Sequence, residues 1–188
     1  MGLRADNLKV HVTVAAWAWG SYLGNEGLEK GIRIKTSSFT RHHVNITMCK
    51  AKANGNYMNS MLALQEALAD GYDEALLLDN EGYVAEGSGE NIFIVRNGIM
   101  YTPDLTSALE GITRETIMQF AQENDIVVKE KRITRDEVYV AEEAFFTGTA
   151  AEVTPIRELD NRQIGSGKRG PITEKLQKRY FDCVEGKL

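Results

Sequence analysis

The sequence predicts a mixed α/β fold: one mixed sheet carrying antiparallel hairpins, with helices packed on it. Three observations predict it. Residues 55–69 repeat their apolar side chains with a helical period, at Tyr57, Met61, Leu64 and Leu68 beside a second row of Met58 and Leu62. Short apolar runs are joined by Asn80-Glu81-Gly82 and Arg96-Asn97-Gly98, sequences that close hairpins. No internal repeat and no low-complexity linker divides the 188 residues, which suits one domain rather than several.

Taken in order, residues 10–19 read as a buried or half-buried strand, rich in Val, Ala and Trp and ended by Gly20. Residues 22–30 read as a short extended or looping segment. Residues 31–38 alternate apolar and polar side chains, the period of a strand with one wet face. The helix over 55–69 stops at Asp70-Gly71. Residues 74–79 form a compact strand that turns back into 83–85, and residues 91–95 turn back into 99–101, so antiparallel pairing is expected here. Gly111-Ile112-Thr113 opens a second helix with Ile117, Phe120 and Ala121 on one face. A strand over 126–133, a short helix over 134–139 capped by Thr134, and a buried strand over 144–147 follow. Residues 155–159 and 162–164 flank a turn at Asp160-Asn161, and Pro171 sits in the first turn of a last helix over 172–184. The pattern is not a run of βαβ units.

Composition narrows the function. Hydrophobic residues are 43% and charged residues 26%, the balance of a globular chain rather than a disordered one. A net charge of -5 is a poor footprint for binding a phosphate backbone, so nucleic acid is not expected as a partner. No apolar run is long enough to span a bilayer, no basic segment followed by an apolar one opens the chain, and no membrane partner is expected. Cys49 and Cys183 form neither a CxxC pair nor a disulfide framework, which suits a reducing cytoplasm.

Several segments could carry chemistry. Lys50 and Lys52 stand among small residues ahead of the best helix, where a desolvated amine could serve Schiff-base chemistry; a solvent-facing lysine is the commoner outcome. Glu86-Gly87-Ser88-Gly89-Glu90-Asn91 suggests GxGxxG, but Ile92 takes the sixth place and no helix follows, so a dinucleotide site is excluded. A carboxylate there could face a cationic ring nitrogen or a positively charged side chain. Gly111-Ile112-Thr113 and Thr147-Gly148-Thr149-Ala150-Ala151 both offer backbone N–H groups beside small side chains, which suits phosphate or carboxylate. His42-His43 reads as a surface pair rather than a metal site, and no metal is expected. Gly165-Ser166-Gly167-Lys168 fails as a P-loop because Arg169 stands where Ser or Thr is needed. Cys49 reads as a buried thiol, and Trp17 and Trp19 as core.

In this order, Trp17-Ala18-Trp19-Gly20-Ser21-Tyr22-Leu23-Gly24, Ala51-Lys52-Ala53-Asn54-Gly55-Asn56-Tyr57, Glu86-Gly87-Ser88-Gly89-Glu90-Asn91, Gly111-Ile112-Thr113-Arg114 and Thr147 through Pro155 resemble the branched-chain amino acid aminotransferases. These are class IV pyridoxal-phosphate enzymes of the D-amino-acid-aminotransferase-like fold. The resemblance implies pyridoxal 5'-phosphate as cofactor and transamination of Leu, Ile and Val with 2-oxoglutarate. It implies Lys52 as the catalytic lysine that carries the cofactor as a Schiff base, Tyr57 against the cofactor O3', and Glu86 beside the pyridine nitrogen. It implies Leu109 against the ring, with Ile112, Thr113, Gly148 and Thr149 around the phosphate. Backbone N–H groups of Thr149, Ala150 and Ala151 would take the substrate carboxylate, and Trp19 and Tyr22 would lie near its side chain.

The resemblance further implies a homodimer or larger homo-oligomer. Residues 1–188 would be the large, cofactor-binding domain, starting near the family's interdomain connection at Met1-Gly2-Leu3-Arg4-Ala5, with the small N-terminal domain not represented. Same-fold rivals are a D-amino acid transaminase and an aminodeoxychorismate lyase. A further alternative is an inert fragment that only binds the cofactor or self-associates.

Overall fold

Nine strands form one sheet in a computed structural model that describes residues 3–20 and 22–187. In chain order the elements are α1 (Asn25–Lys30), β1 (Ile32–Thr36), α2 (Met58–Ala69, preceded by a 3-10 turn over Asn54–Tyr57), β2 (Glu74–Leu78), β3 (Val84–Gly87), β4 (Asn91–Arg96), β5 (Ile99–Thr102), α3 (Ile112–Glu123), β6 (Val128–Glu130), α4 (Arg135–Tyr139), β7 (Glu143–Gly148), β8 (Glu152–Leu159), β9 (Arg162–Gln163) and α5 (Pro171–Val184). Across the sheet the order is β3-β2-β1-β8-β7-β4-β5-β6, with β9 paired to β8.

Both predicted hairpins form: β2 pairs antiparallel with β3, and β4 with β5. They do not continue into each other, because β3 lies at one edge of the sheet and β4 pairs with β7. Two βαβ crossovers stand beside the hairpins. α2 joins the parallel pair β1 and β2, and α3 joins the parallel pair β5 and β6. The sheet is therefore mixed, as expected.

Strand alternation explains where the core sits. Leu76, Ile92, Ile94, Ala144 and Phe146 join Ile32, Ile34, Val84 and Ile156 in one cluster enclosed by the curl of the sheet. The intervening residues Phe93, Val95 and Phe145 face outward, where α3 and α5 cover them with Ile117, Phe120, Ala121 and Leu176. Phe93 and Phe145 stack with centroids 5.1 Å apart. The curl brings the edge strand β3 back beside β4, bridged by Gly87 N–H donating to Glu90 O at 2.7 Å. The open rim beside this seam holds the candidate site.

Four expectations need correction. Residues 10–19 form no strand: they run without regular secondary structure, and Val10, Val12, Val14, Trp17 and Trp19 are all exposed. Alternating apolar residues mark a chain that could pair, but no described strand lies against these. Trp17 and Trp19 therefore stack on each other at 6.0 Å instead of joining the core. Residues 22–30 are not simply extended, since α1 occupies their second half between Gly24 and Gly31, both at positive φ. The helix over 55–69 forms, yet it buries its small side chains Ser60, Ala63 and Ala67, while Met58, Met61, Leu62 and Leu68 face outward. Small residues let α2 sit close to Ala75 and Leu77, so the large apolar row is left outside. Finally, the strand over 126–133 shrinks to Val128–Glu130 at the sheet edge.

Candidate active site

Two turns and one helix start meet at the rim. β3 ends there, β4 and α3 begin there, and the β7–β8 hairpin turns there. The cleft between them measures about 190 Å³, and Lys52, Tyr57, Glu86, Leu109, Ile112, Thr113, Gly148 and Thr149 line it. Eight predicted side chains and backbone positions, spread over about 100 residues of sequence, are thus brought together. A larger surface groove of about 790 Å³ runs along α3 and β6 past Met118 and Val128 and holds none of the predicted reactive groups.

The lysine loop forms one wall. Asn56 is buried, and its side-chain amide donates to Met48 O at 2.9 Å and Ala51 O at 2.8 Å, which ties the loop into a knot ahead of α2. The knot separates the fates of two neighbouring lysines. Lys50 Nζ donates to the carbonyls of Leu105 and Ala108 and is spent on the loop before α3. Lys52 Nζ donates to Tyr57 Oη at 2.9 Å and remains an exposed amine at the cleft.

Opposite stands Glu86, only 5% exposed at the end of β3. Its Oε2 accepts the N–H of Leu109 at 2.9 Å, and Arg41 Nε approaches its Oε1 to 2.5 Å without an aligned N–H···O bond. Of the two partners open to this acid from sequence, the one within the chain is a positively charged side chain. Burial pushes the Glu86 carboxyl above its usual range, while Arg41 foremost, then the Leu109 N–H and the charges of Lys52 and Lys50, pull it back. Glu90, on the other side of the seam, is pushed up to about 8 by burial and by Glu74. Glu74 is itself fully buried, with Oε2 unpartnered.

The far end of the cleft suits an anion. α3 begins at Gly111 with no side-chain cap, so its first N–H groups open on the cleft and carry the positive end of the helix dipole. α5 shows the contrast: the Glu143 carboxylate accepts the N–H groups of Ile172 at 3.0 Å and Thr173 at 2.7 Å. Beside the α3 start, Thr147 Oγ1 is buried without a partner. A ligand with an anionic end, an amine-reactive aldehyde carbon and a basic ring nitrogen fits these donors, the amine and the acid. That chemistry is what pyridoxal phosphate presents, and the residues present fit it.

Four predicted residues lie outside the cleft lining. Trp19 is exposed and contacts Tyr22 edge-on at 6.2 Å. The Tyr22 phenol is pushed up to about 12 by burial and by the charges of Glu90 and Glu74. Ala150 and Ala151 sit with Thr149 in the three-residue turn between β7 and β8, closed by Glu152 at φ 54. Ser21, between Trp19 and Tyr22, lies outside the described residues, as do Met1 and Gly2.

Sequence reading missed Arg41, Asn91 and the role of Lys50. Asn91 Nδ2 donates to Leu109 O at 2.9 Å and so fixes the residue at the ring position; its place at the end of the Glu86 motif was the available signal. Arg41 carried no signal at all. The histidines also divide: His43 is exposed, whereas His42 is half-buried with Nε2 3.1 Å from Cys49 Sγ. Among the described residues no group of three or more His, Cys, Asp or Glu is placed to hold a metal ion, and no helix is long and apolar enough to cross a membrane.

The family described as Amino-transferase class IV matches residues 2–159. A branched-chain-amino-acid aminotransferase of Pseudomonas aeruginosa is 68% identical over 187 residues, covering all of this chain and 61% of that protein. The enzyme of that name from Escherichia coli K12 is 46% identical over 176 residues, covering 93% of this chain and 57% of that protein. Among solved structures, the T.th. branched-chain amino acid aminotransferase with pyridoxamine 5'-phosphate superposes with a TM-score of 0.88 at 51% identity, covering 92% of this chain and 56% of that one. The chain thus spans about three fifths of the length of the curated relatives it matches.

Proposed function

The chain belongs to the class IV aminotransferases, and from that premise we propose that it is the cofactor-bearing part of a branched-chain amino acid aminotransferase. The reaction moves the amino group of Leu, Ile or Val to 2-oxoglutarate, with pyridoxal 5'-phosphate as cofactor. One observation carries the reading: of the two loop lysines that line the cleft, Lys50 gives its amine to the Leu105 and Ala108 carbonyls, whereas Lys52 Nζ lies 2.9 Å from the Tyr57 hydroxyl, in the cleft that Glu86 also lines. A branched-chain substrate is supported by the activity for which the relatives are named.

Bound at the site, the cofactor supplies a conjugated ring that accepts the electron pair left on Cα when its proton departs. Everything else falls to the chain. Lys52 Nζ would anchor the cofactor and, once freed, would carry the proton between the substrate Cα and the cofactor C4′. Tyr57 Oη orients that amine through its hydrogen bond. Glu86 accepts the ring N–H, and Leu109 holds the ring face. The N–H groups of Ile112 and Thr113, with Gly148 and Thr149, bind the phosphate. The turn over 149–151 offers N–H groups to the substrate carboxylate, and Trp19 and Tyr22 border the side-chain pocket.

Residues 1–188 are, in this reading, the large domain of a longer enzyme. Its assembly is a homodimer or larger homo-oligomer, which the exposed apolar side chains before α1 and on α2 support. Free Cys49 and Cys183 suit a cytoplasmic location. The test is an absorbance titration with pyridoxal phosphate. Wild type is expected to develop a band above that of the free aldehyde, and Lys52→Ala to lose it; an unchanged band in Lys52→Ala refutes the assignment.

A further inference from the structure

Arg41 has no part in the roles just assigned, yet it is among the most deeply buried charged residues described, 2% exposed. It lies between β1 and the lysine loop and reaches both walls of the cleft. Nη1 donates to Asn56 O at 3.0 Å, within the turn that carries Tyr57, and its guanidinium carbon stands 6.0 Å from the Tyr57 ring centre. Nε stands 2.5 Å from Glu86 Oε1. A buried cation of this kind needs a counter-charge, and a buried carboxylate needs the same in return.

We propose that Arg41 is a positioning residue for Glu86: it fixes the buried carboxylate in place and in its charged form, so that a proton shared with a bound ring nitrogen rests on the nitrogen. The inference rests on the cofactor reading above and deepens it. A neutral Glu86 would donate its own proton to the nitrogen as a hydrogen bond only, leaving the ring uncharged and a poorer electron sink. A charged Glu86 leaves the proton on the ring.

The other groups facing Glu86 do not replace Arg41. Leu109 N–H is already bonded to Oε2 and carries no net charge. Lys50 is directed at the Leu105 and Ala108 carbonyls. Lys52 loses its free ammonium when it anchors the cofactor. Glu90, pushed up to about 8, is neutral near neutrality and adds no opposing charge there. Among the described residues, Arg41 is the one fixed cation in contact with the acid.

The test loads the chain with pyridoxal phosphate labelled with 15N at the ring and reads the ring-nitrogen resonance. In wild type the resonance is expected at the pyridinium position and to stay there from mildly acidic to mildly alkaline pH. In Arg41→Gln, which keeps a hydrogen-bonding amide without the charge, it is expected to move to the neutral-pyridine position. Arg41→Lys, which restores a charge, is expected to move it back toward wild type. A pyridinium resonance in Arg41→Gln overturns the proposal. If Arg41→Gln does not fold, the wild-type titration decides, because a resonance that drifts to neutral pyridine within that range equally overturns it. A wild-type chain that gives no lysine-dependent band refutes the cofactor reading itself, so the two failures are told apart.

Discussion

Gly111 shows how narrowly single residues define the cleft. Its φ of -80° is open to any amino acid, so the backbone does not demand glycine. Space does: a Cβ there would stand 2.1 Å from Asn91 Oδ1, the side chain whose amide holds Leu109 O. Gly111→Ala must displace Asn91, break that bond and shift the residue whose N–H binds Glu86. The cost is about 1–3 kcal/mol, which lowers Tm by about 2–4 °C for each kcal/mol in a chain of this size. Pyridoxal phosphate affinity is expected to fall with it. Gly89→Ala is the control, since nothing lies within 4 Å of the Cβ it would add. Calorimetry of the two variants checks the argument, and equal melting temperatures would contradict it.

At the scale of elements, α2 is held to the sheet by more than its small face. Glu66 accepts Ser37 Oγ at 2.6 Å and Ser38 N–H at 2.9 Å, just past the end of β1, with Lys35 at 3.7 Å. Those donors pull its carboxyl from 4.5 to about 2. The folded value is depressed, so the stabilisation is complete above pH 4.5 and disappears as pH falls toward 2. Glu66→Gln is expected to cost about 1 kcal/mol at neutral pH and to flatten the acid limb of stability across that window, as urea titrations at several pH values would show.

The same helix separates what was legible in the sequence from what was not. Its existence and its stop at Asp70-Gly71 follow from local period and capping chemistry, as do the hairpin turns and the Thr134–Glu137 capping box of α4. Its buried face does not, because period tells where apolar residues lie and not what they meet. α1 was missed because six residues between two glycines carry too little pattern. In the site, motifs of contiguous residues located Lys52, Tyr57 and Glu86. Arg41 pairs with Glu86 across 45 positions, and an ion pair over that separation leaves no trace in either neighbourhood.

On the scale of the whole molecule, the misread segment before α1 becomes the informative one. Leu8, Val10, Val12, Val14, Trp17 and Trp19 are between 63% and 92% exposed, and α2 adds Met58, Met61, Leu62 and Leu68 outside. Monomeric proteins rarely expose apolar patches beyond a few hundred Å², so the alternation that suggested a strand is better understood as a surface made to be covered. Covering it would remove the conflict between pattern and exposure without altering any element of the fold. The chain has two tryptophans, both in this segment, so its tryptophan emission reports on nothing else. Dilute chain is expected to emit at the wavelength of solvated indole and to be quenched freely by acrylamide. As sedimentation shows association with rising concentration, emission should move to the blue and quenching should weaken. Val12→Asp together with Val14→Asp should abolish both changes, because a charge cannot be buried unpaired in an apolar contact. Association without any change in emission would place the contact elsewhere and leave the segment's exposure unexplained by self-assembly.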